Sequence, residues 1–273
     1  MGRFDKIVIC TDLDGTLLRD DRSLSKENVD AIEYFKSEGG HFTFVTGRMP
    51  FYCGKIIDLI KPNAPFGCIN GGGLYDHVEN KYIYTVPLDS EALELVRYAD
   101  KLLPGIGIQL NTFDTVYFAR ESSAMEIFRR LTGSRNIVRD YEGFDLPMSK
   151  VVFGDEDEER IDRLSKILYS HPLAEKYDFI RSEKTLYEIL PKGVHKGTVL
   201  PLLVERLNTD MAHCIAVGDF ENDIGMIVAA GIGIAVSNAR DAVKAVADRI
   251  TVSNEEHAIA QIIRDIESGE ITF

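Results

Sequence analysis

Asp12-Leu13-Asp14-Gly15-Thr16 comes just after the apolar run Ile7-Val8-Ile9-Cys10, and the two segments together indicate the architecture of the chain. An uninterrupted apolar run rich in β-branched residues predicts a buried strand of a parallel sheet. Open α/β sheets carry their chemistry just past the C-terminal ends of such strands. Because alternate residues of an extended chain face the same way, Asp12 and Asp14 are expected on one side, and Gly15 permits a sharp turn after them.

The two carboxylates of this segment predict a cation site. Like charges two residues apart repel each other, and burial strengthens the repulsion, so a cation is expected to hold Asp12 and Asp14. Carboxylate oxygens are hard ligands that suit Mg²⁺ better than Zn²⁺. The alternative interpretation is an Asp-rich turn, which is common after strands.

The overall composition narrows the possible partners. The chain has 273 residues, and 44 acidic against 31 basic side chains give it a net charge of −13. Such a charge argues against nucleic acid and anionic membranes as partners. We expect a cytoplasmic protein with reduced cysteines, because no apolar run approaches a membrane span and the first candidate site residue is already at position 12.

The N-terminal part of the chain alternates strands and helices. A helix is predicted over Leu24–Lys36, followed by a strand over His41–Val45 that ends at Thr46-Gly47-Arg48. A hydroxyl and a glycine at a strand end suit a phosphate oxygen, although the same residues also form ordinary turns. A third core strand, over Phe66–Ile69, ends at Asn70-Gly71, where a nest of amide donors and a flexible turn are equally consistent with the glycines.

A different pattern begins near residue 82. Strands joined by short turns, together with three helices, predict an antiparallel sheet that has its helices on one face. We assign this insertion to residues 82–189, with Tyr82–Val86 as its first strand. The strand and helix alternation returns after Pro191, so residues 1–81 and 190–273 are predicted to share one parallel sheet.

The returning segment supplies further polar residues at the expected sheet edge. Lys196 opens a helical run, and Gly218-Asp219 with Asn222-Asp223 follows the apolar strand Cys214–Val217. The C-terminal ends of parallel strands lie at one edge, so these aspartates can meet Asp12 and Asp14 there. A lysine at this edge would act as a point charge toward a phosphate.

This combination resembles the haloacid dehalogenase superfamily, and within it the Cof-type phosphatases with a class IIB cap. The resemblance covers nearly the whole chain and implies an α/β fold: a Rossmann-like parallel-sheet core with an inserted α+β cap that selects the substrate. The segments similar to the four motifs of that superfamily are Asp12 to Thr16, Thr46 to Arg48, Lys196-Gly197, and Gly218-Asp219 with Asn222-Asp223.

The resemblance also implies a role for each matching residue. Asp12 would attack phosphorus and Asp14 would serve as general acid and base, while Thr46 and Lys196 would bind the phosphoryl group and neutralise its charge. Mg²⁺ would be held by Asp12, Asp219 and the Asp14 backbone carbonyl, with Asp223 binding directly or through water. Phosphate-binding or orienting roles are implied for Gly47, Arg48, Asn70, Gly71 and Asn222.

Several alternatives remain at this point. Arg48 is equally consistent with an ion pair beside a helix start, Asn70 and Asn222 with turn formation, and His195 with a packed or exposed side chain. The expected function is a Mg²⁺-dependent phosphatase of small phosphorylated metabolites, sugar or polyol phosphates, acting through an aspartyl phosphate. The alternatives are a hexose phosphomutase of the same superfamily and, more remotely, a non-catalytic phospho-receiver that binds Mg²⁺. The sequence predicts neither the oligomeric state nor the cap residues that contact the leaving group.

Overall fold

The computed structural model describes residues 2–273, which divide into two units. The core unit comprises the chain up to Thr85 together with His195–Phe273, and the inserted unit comprises Val86–Val194. The strands, in chain order, are β1 (Val8–Thr11), β2 (His41–Phe44), β3 (Phe66–Cys68), β4 (Gly73–Asp76), β5 (Lys81–Thr85), β6 (Gly107–Asn111), β7 (Val116–Arg120), β8 (Lys150–Gly154), β9 (Tyr177–Glu183), β10 (Leu186–Pro191), β11 (Cys214–Gly218), β12 (Ile232–Ala235) and β13 (Arg249–Ile250). The α-helices are α1 (Lys26–Ser37), α2 (Gly54–Ile60), α3 (Ala92–Leu102), α4 (Ser123–Thr132), α5 (Glu158–Tyr169), α6 (Leu200–Arg206), α7 (Ile224–Ala229), α8 (Asp241–Lys244) and α9 (Ala258–Ser268).

The main sheet of the core unit is parallel, as predicted. Its strand order is β13-β12-β11-β1-β2, and every neighbouring pair runs in the same direction. In the register, Thr11 lies opposite Val217 on one side and Phe44 on the other. β1 is fully buried, which explains its continuous apolar sequence. The C-terminal ends of β1, β2 and β11 therefore meet at one edge of the sheet.

The sequence around the helix α1 explains where this helix begins and ends. Ser25 caps its start, because the hydroxyl oxygen accepts a hydrogen bond from the Asn28 amide. Ile32 and Phe35 bury the inner face. The helix ends before Gly39, whose φ of +93° lies in the left-handed region that glycine tolerates. The predicted range, Leu24–Lys36, differs from the observed one by two residues or fewer at each end.

A second, antiparallel sheet of the core unit corrects two of our predictions. Its order is β3-β4-β5, so Phe66–Cys68 is not a strand of the parallel sheet, although an isolated bridge joins Gly67 to Val45, the residue that follows β2. Residues 82–85, assigned to the insertion, pair instead with β4. The first boundary therefore falls after Thr85 rather than before residue 82. We had considered a nest of amide donors or a flexible turn at the glycines that begin β4, and so missed the strand that β5 pairs with.

The inserted unit contains one antiparallel sheet with the order β7-β6-β8-β10-β9. Its apolar face packs against α3 and α5, as expected, in a core that includes Ile108, Val151 and Ile189. The third helix, α4, lies on the opposite face, where the Gln109 amide donates to the Met125 sulfur at 3.0 Å. That position corrects the prediction of helices on one face only.

Three polar side chains of the inserted unit have different environments. Tyr187 belongs to the apolar core, and its hydroxyl pairs with Ser165. Arg120 forms ion pairs with Asp100 and Asp140. Asn111 is buried, and its Nδ2 atom has no hydrogen-bond partner. Tyr187 and Arg120 therefore have structural roles within this unit.

Two further expectations from composition can be compared with the structure. All four cysteines, Cys10, Cys53, Cys68 and Cys214, are buried free thiols. Within residues 2–273, no helix has both the length and the apolar character needed to cross a membrane.

Candidate active site

Three strand ends of the parallel sheet bring the predicted motifs together. Asp12 follows β1, and its amide donates to the Val217 carbonyl of β11 at 2.8 Å. Thr46 follows β2, whose extension is held by a bond from the Val45 amide to the Thr11 carbonyl. Asp219 follows β11 directly. Parallel pairing alone therefore places these three side chains at one edge.

The centre of the site is a buried lysine between two aspartates. Lys196 is 1% exposed, and its Nζ donates to Asp12 Oδ1 at 2.6 Å and to Asp223 Oδ1 at 2.5 Å. Burial opposes the charged form, but the two carboxylates outweigh it and raise the pKa of Lys196. The lysine is therefore a permanent positive charge in the site.

Asp12 lies in an environment that disfavours its negative charge. The side chain is buried, and burial raises the pKa of Asp12 well above its ordinary value despite the opposing effect of Lys196. Repulsion from Asp223 and Asp219 adds to the increase. A cation bound beside Asp12 would offset this repulsion and favour the ionised carboxylate.

Asp219 is held by the first motif. The Thr16 hydroxyl donates to Asp219 Oδ1 at 2.7 Å across 203 residues of sequence. Gly15 has a φ of +79°, and a Cβ atom at this position would lie 2.6 Å from Asp219 Oδ2, so only glycine leaves room for the carboxylate. Burial, with repulsion from Asp223, raises the pKa of Asp219 to about 7.

Asp223 has a different hydrogen-bonding pattern. Its Oδ2 accepts bonds from the amides of Asp219 and Phe220 at 2.9 and 3.0 Å, while Oδ1 accepts the bond from Lys196. Both oxygens are therefore engaged. This pattern favours a role in orienting Lys196 and the Asp219 loop.

Three of the predicted metal ligands form a cluster that could hold a metal ion. Asp12, Asp219 and Asp223 each offer a carboxylate oxygen, and these atoms lie within 4.8 Å of one another. Three ionised carboxylates would outnumber the one lysine that donates to two of them, Asp12 and Asp223. Burial raises the pKa values of Asp12 and Asp219, and repulsion among the clustered carboxylates adds to the increase. Clustered carboxylate oxygens are the donor set that hard divalent cations prefer.

Asp14 lies outside this cluster and pairs with Arg48. The Arg48 Nε and Nη2 atoms donate to Asp14 Oδ2 and Oδ1 at 2.9 and 2.5 Å, so both carboxylate oxygens are engaged. The Asp14 side chain is 36% exposed. Of the two interpretations of Arg48, the structure shows the ion pair.

The remaining predicted residues form a hydrogen-bonded group beside Thr46. The Thr46 hydroxyl oxygen accepts from the Arg48 amide at 3.2 Å, and the Thr46 carbonyl accepts from the Asn70 amide. Asn70 adopts a left-handed conformation, and its Oδ1 accepts from Asn222 Nδ2 at 3.0 Å. A Cβ at Gly47 would lie 3.0 Å from the same Asn70 oxygen. Asn222 Oδ1 is buried and has no hydrogen-bond partner.

Two residues to which we had assigned no role support the site. Thr16 was recognised only as part of its motif, although it positions Asp219. Asn238 donates from Nδ2 to the Gly15 carbonyl at 2.8 Å and so fixes the turn after Asp14. Both contacts join segments more than two hundred residues apart, and local sequence patterns do not encode such pairs.

Comparisons with known proteins agree with this geometry. A family model described as haloacid dehalogenase-like hydrolase matches residues 9–263. The 5-amino-6-(5-phospho-D-ribitylamino)uracil phosphatase YcsE of Bacillus subtilis is 29% identical over 265 residues, which cover 94% of each chain. The solved structure of TM0651 from Thermotoga maritima is 26% identical, with a TM-score of 0.79 and 98% coverage of both chains.

A further solved structure supports the fold. A haloacid dehalogenase-like hydrolase from Bacteroides thetaiotaomicron matches with a TM-score of 0.82 at 24% identity, covering 96% of this chain and all of the other. The family model extends over both the parallel sheet with its polar edge and the inserted unit. The chain belongs to the haloacid dehalogenase-like hydrolase family.

Proposed function

We propose that the protein is a Mg²⁺-dependent phosphatase of small phosphorylated metabolites, sugar or polyol phosphates, acting through a phosphorylated Asp12. The observation that carries the proposal is the buried Lys196 between Asp12 and Asp223, with Asp219 alongside. Family membership and the phosphatase name of YcsE support the enzyme class, a phosphoric monoester hydrolase. That printed name includes a phosphorylated ribityl group, which is a polyol phosphate.

The carboxylates fit the proposed cation. Asp12 and Asp219 would hold Mg²⁺ together with the Asp14 backbone carbonyl, and Asp223 would orient Lys196 and the Asp219 loop. When bound, the cation would neutralise the excess negative charge and polarise a phosphoryl oxygen. The coordinating role of each residue is part of the proposal.

Asp12 is the proposed nucleophile. Lys196 engages its Oδ1, which leaves Oδ2 to attack phosphorus. The new bond joins Oδ2 to phosphorus, and the bond from phosphorus to the ester oxygen breaks. Hydrolysis of this aspartyl phosphate by water then releases inorganic phosphate. A carboxylate nucleophile thereby divides one difficult displacement into two easier steps.

Thr46 and its neighbours are proposed to hold the phosphoryl oxygens. The Thr46 oxygen already accepts a bond from the Arg48 amide, so its own proton is available for donation to phosphate. Asn70 would be held in place by Asn222, and the backbone of Gly47 and Gly71 could approach the anion closely. Positioning and charge stabilisation of this kind dominate catalysis of phosphoryl transfer.

Asp14 is the proposed general acid and base. To protonate the leaving oxygen it must carry a proton on one carboxylate oxygen, yet both oxygens now accept bonds from Arg48. Each oxygen has a second lone pair, which can carry this proton while the bond from Arg48 remains. Arg48 therefore controls where the Asp14 carboxyl group points, in addition to any contact with substrate.

The inserted unit is proposed to select the substrate. The net charge of −13 supports a small-molecule substrate rather than a nucleic acid or an anionic membrane. We retain a cytoplasmic location as part of the proposal.

The test is phosphate release from a panel of sugar and polyol phosphates and one chromogenic monoester, measured with Mg²⁺ and with EDTA. We expect release that requires Mg²⁺ and that Asp12→Asn abolishes while the circular dichroism spectrum is unchanged. Asp210→Asn is the control, because Asp210 caps a short surface helix through His213. Asp210→Asn should retain activity.

The other outcomes are equally informative. Folded wild-type protein that releases no phosphate would contradict the proposal, and interconversion of hexose phosphates only with a bisphosphate activator would favour the phosphomutase. Retained activity in Asp12→Asn would refute the nucleophile assignment. A stable aspartyl phosphate without turnover in wild-type protein would favour the phospho-receiver.

A further inference from the structure

The residue before Lys196 caps the short helix from which that lysine extends. His195 has extended backbone angles at the start of the 3-10 helix Lys196–Val199, and its Nδ1 accepts a bond from the Gly197 amide at 3.1 Å. The His195 amide donates in return to the Thr198 hydroxyl at 3.0 Å. This reciprocal arrangement is a capping box with an imidazole in the position usually held by Ser, Thr, Asp or Asn.

Three glycines from different segments enclose this histidine. A Cβ atom at Gly225 would lie 2.3 Å from His195 Nδ1, and one at Gly197 would lie 2.9 Å from His195 Cε1. A Cβ at Gly71 would lie 2.0 Å from the His195 carbonyl oxygen. Real Cβ atoms do not approach this closely, so each position must be glycine for His195 to stay where it is. The imidazole and its backbone are thus fixed from three sides.

We propose that His195 is a positioning residue for Lys196: its unprotonated Nδ1 fixes the first turn of the helix that directs the lysine toward Asp12 and Asp223. The inference rests on the proposed phosphatase function, because Lys196 is assigned its role there. It extends that function to a residue with no catalytic contact of its own.

The chemistry of imidazole gives this cap a property that serine or asparagine would not give. Histidine exchanges a proton between pH 5 and 8, and once Nδ1 carries that proton it can no longer accept the bond from Gly197. The elements packed against the Lys196–Val199 helix are α6, α7, β3 and the 3-10 helices Ile69–Gly71 and Glu221–Asp223. Their titratable or charged residues are Glu205, Arg206, Cys68, Glu221 and Asp223. Protonation of Nδ1 would therefore remove the cap and hold Lys196 less firmly.

The test compares three variants from pH 5 to pH 8 with the chromogenic monoester and saturating Mg²⁺. His195→Asn keeps an acceptor that does not titrate, whereas His195→Ala removes the acceptor at every pH. We expect kcat/KM of His195→Asn to equal that of wild type at pH 8 and to exceed it at pH 5 by roughly fivefold, the factor that corresponds to a lost cap of about 1 kcal/mol. The kcat/KM of His195→Ala should be lower than that of His195→Asn by the same factor at every pH from 5 to 8.

The inserted unit offers a matched control. His171 Nδ1 accepts from the Leu173 amide at 3.2 Å, the same contact two residues along the chain. His171→Asn should leave the pH profile of wild type unchanged. The inference would be overturned if the pH profile of His195→Asn coincided with that of wild type. It would also be overturned if His171→Asn changed the pH profile as much as His195→Asn does.

Amide hydrogen exchange provides a readout that does not depend on activity. The Gly197 amide should exchange faster at pH 5 than at pH 8 in wild type, after correction for intrinsic rates, and should stay protected at both in His195→Asn. Protection of Gly197 that does not change with pH in wild type would contradict the inference. Wild-type protein that shows the expected exchange but releases no phosphate would instead contradict the proposed function alone.

Discussion

The charges of individual residues at the sheet edge do not balance in the protein alone. Three clustered carboxylates lie beside one ammonium group, and burial together with their mutual repulsion raises the pKa of both Asp12 and Asp219. The sequence predicted that these residues share one edge, because all follow apolar parallel strands. It could not predict that Asp14 turns to Arg48 instead, since an ion pair between side chains 34 residues apart leaves no local pattern.

The raised pKa of Asp219 predicts how stability depends on pH. The folded state binds a proton up to about pH 7, whereas the unfolded state releases it near the ordinary value of 3.8. Folding therefore becomes less favourable as pH rises through this window. In EDTA at pH 8, Asp219→Asn should be more stable than wild type by on the order of 1–3 kcal/mol in urea unfolding.

The same variant separates the effect of charge from the effect of the cation. Near pH 3 the difference between Asp219→Asn and wild type should become small, because the carboxyl group is then mostly protonated in both the folded and the unfolded state. At pH 8, added Mg²⁺ should stabilise wild type and not Asp219→Asn. Equal stabilisation of the two proteins by Mg²⁺ would remove Asp219 from the proposed ligand set.

The Arg48 and Asp14 pair predicts a dependence on the leaving group. Arg48→Met removes the guanidinium group that holds Asp14, so the leaving oxygen is protonated less efficiently. Activity toward an alkyl phosphate should fall by roughly 10². Activity toward a nitrophenyl phosphate should fall much less, because that leaving group departs without protonation. Equal losses on both substrates in steady-state assays would instead indicate that Arg48 acts by binding phosphate.

The elements of the core unit were predictable where their signals are local. The helix α1 has its cap, apolar face and terminal glycine within the segment itself, and its predicted ends were nearly correct. The assignments of β3 and β5 were wrong because strand partners depend on distant residues, and β4 begins with glycines that resembled a turn. The placement of α4 was wrong for a similar reason. Gly107 and Gly154 leave the room that Met125 of α4 occupies, and these two glycines become neighbours only when their strands pair.

Gly71 lies where the 3-10 helix Ile69–Gly71 meets the start of the 3-10 helix Lys196–Val199, and a larger side chain there should destabilise the protein. Gly71 has a φ of +93°, and a Cβ there would lie 2.0 Å from the His195 carbonyl oxygen. Gly71→Ala should therefore destabilise the protein by roughly 3 kcal/mol or more, from backbone strain together with the required backbone shift. Activity should fall as well, because the shifted segment carries Lys196.

Gly269 provides the matched control in the same unit. Its φ is +81°, but nothing lies within 4 Å of a Cβ at this position. Gly269→Ala should show only the strain of the left-handed conformation, about 1–2 kcal/mol, with full activity. Similar unfolding energies for the two variants would show that the contact with His195 is unimportant.

In the whole molecule, strands that are far apart in the chain are neighbours in the parallel sheet, and this arrangement brings the site residues together. The central strands β11, β1 and β2 come from opposite ends of the sequence, with the inserted unit between them in the chain. The fold class was predictable because apolar strand runs occur on both sides of the insertion. The family, the fold class and the presence of a phosphatase-type enzyme are the parts of the sequence analysis that the comparisons support.

The net charge of −13 predicts how ionic strength affects catalysis. A phosphate dianion approaching this protein is repelled over several ångströms, and added salt screens that repulsion because the Debye length shortens from about 30 Å at 0.01 M to about 8 Å at 0.15 M. With Mg²⁺ saturating, kcat/KM should therefore rise between these salt concentrations through a lower KM, while kcat stays constant. Sucrose at matched osmolarity is the control and should have no such effect. A fall in kcat/KM would show instead that local positive charge near Lys196 and the bound cation dominates the approach of substrate.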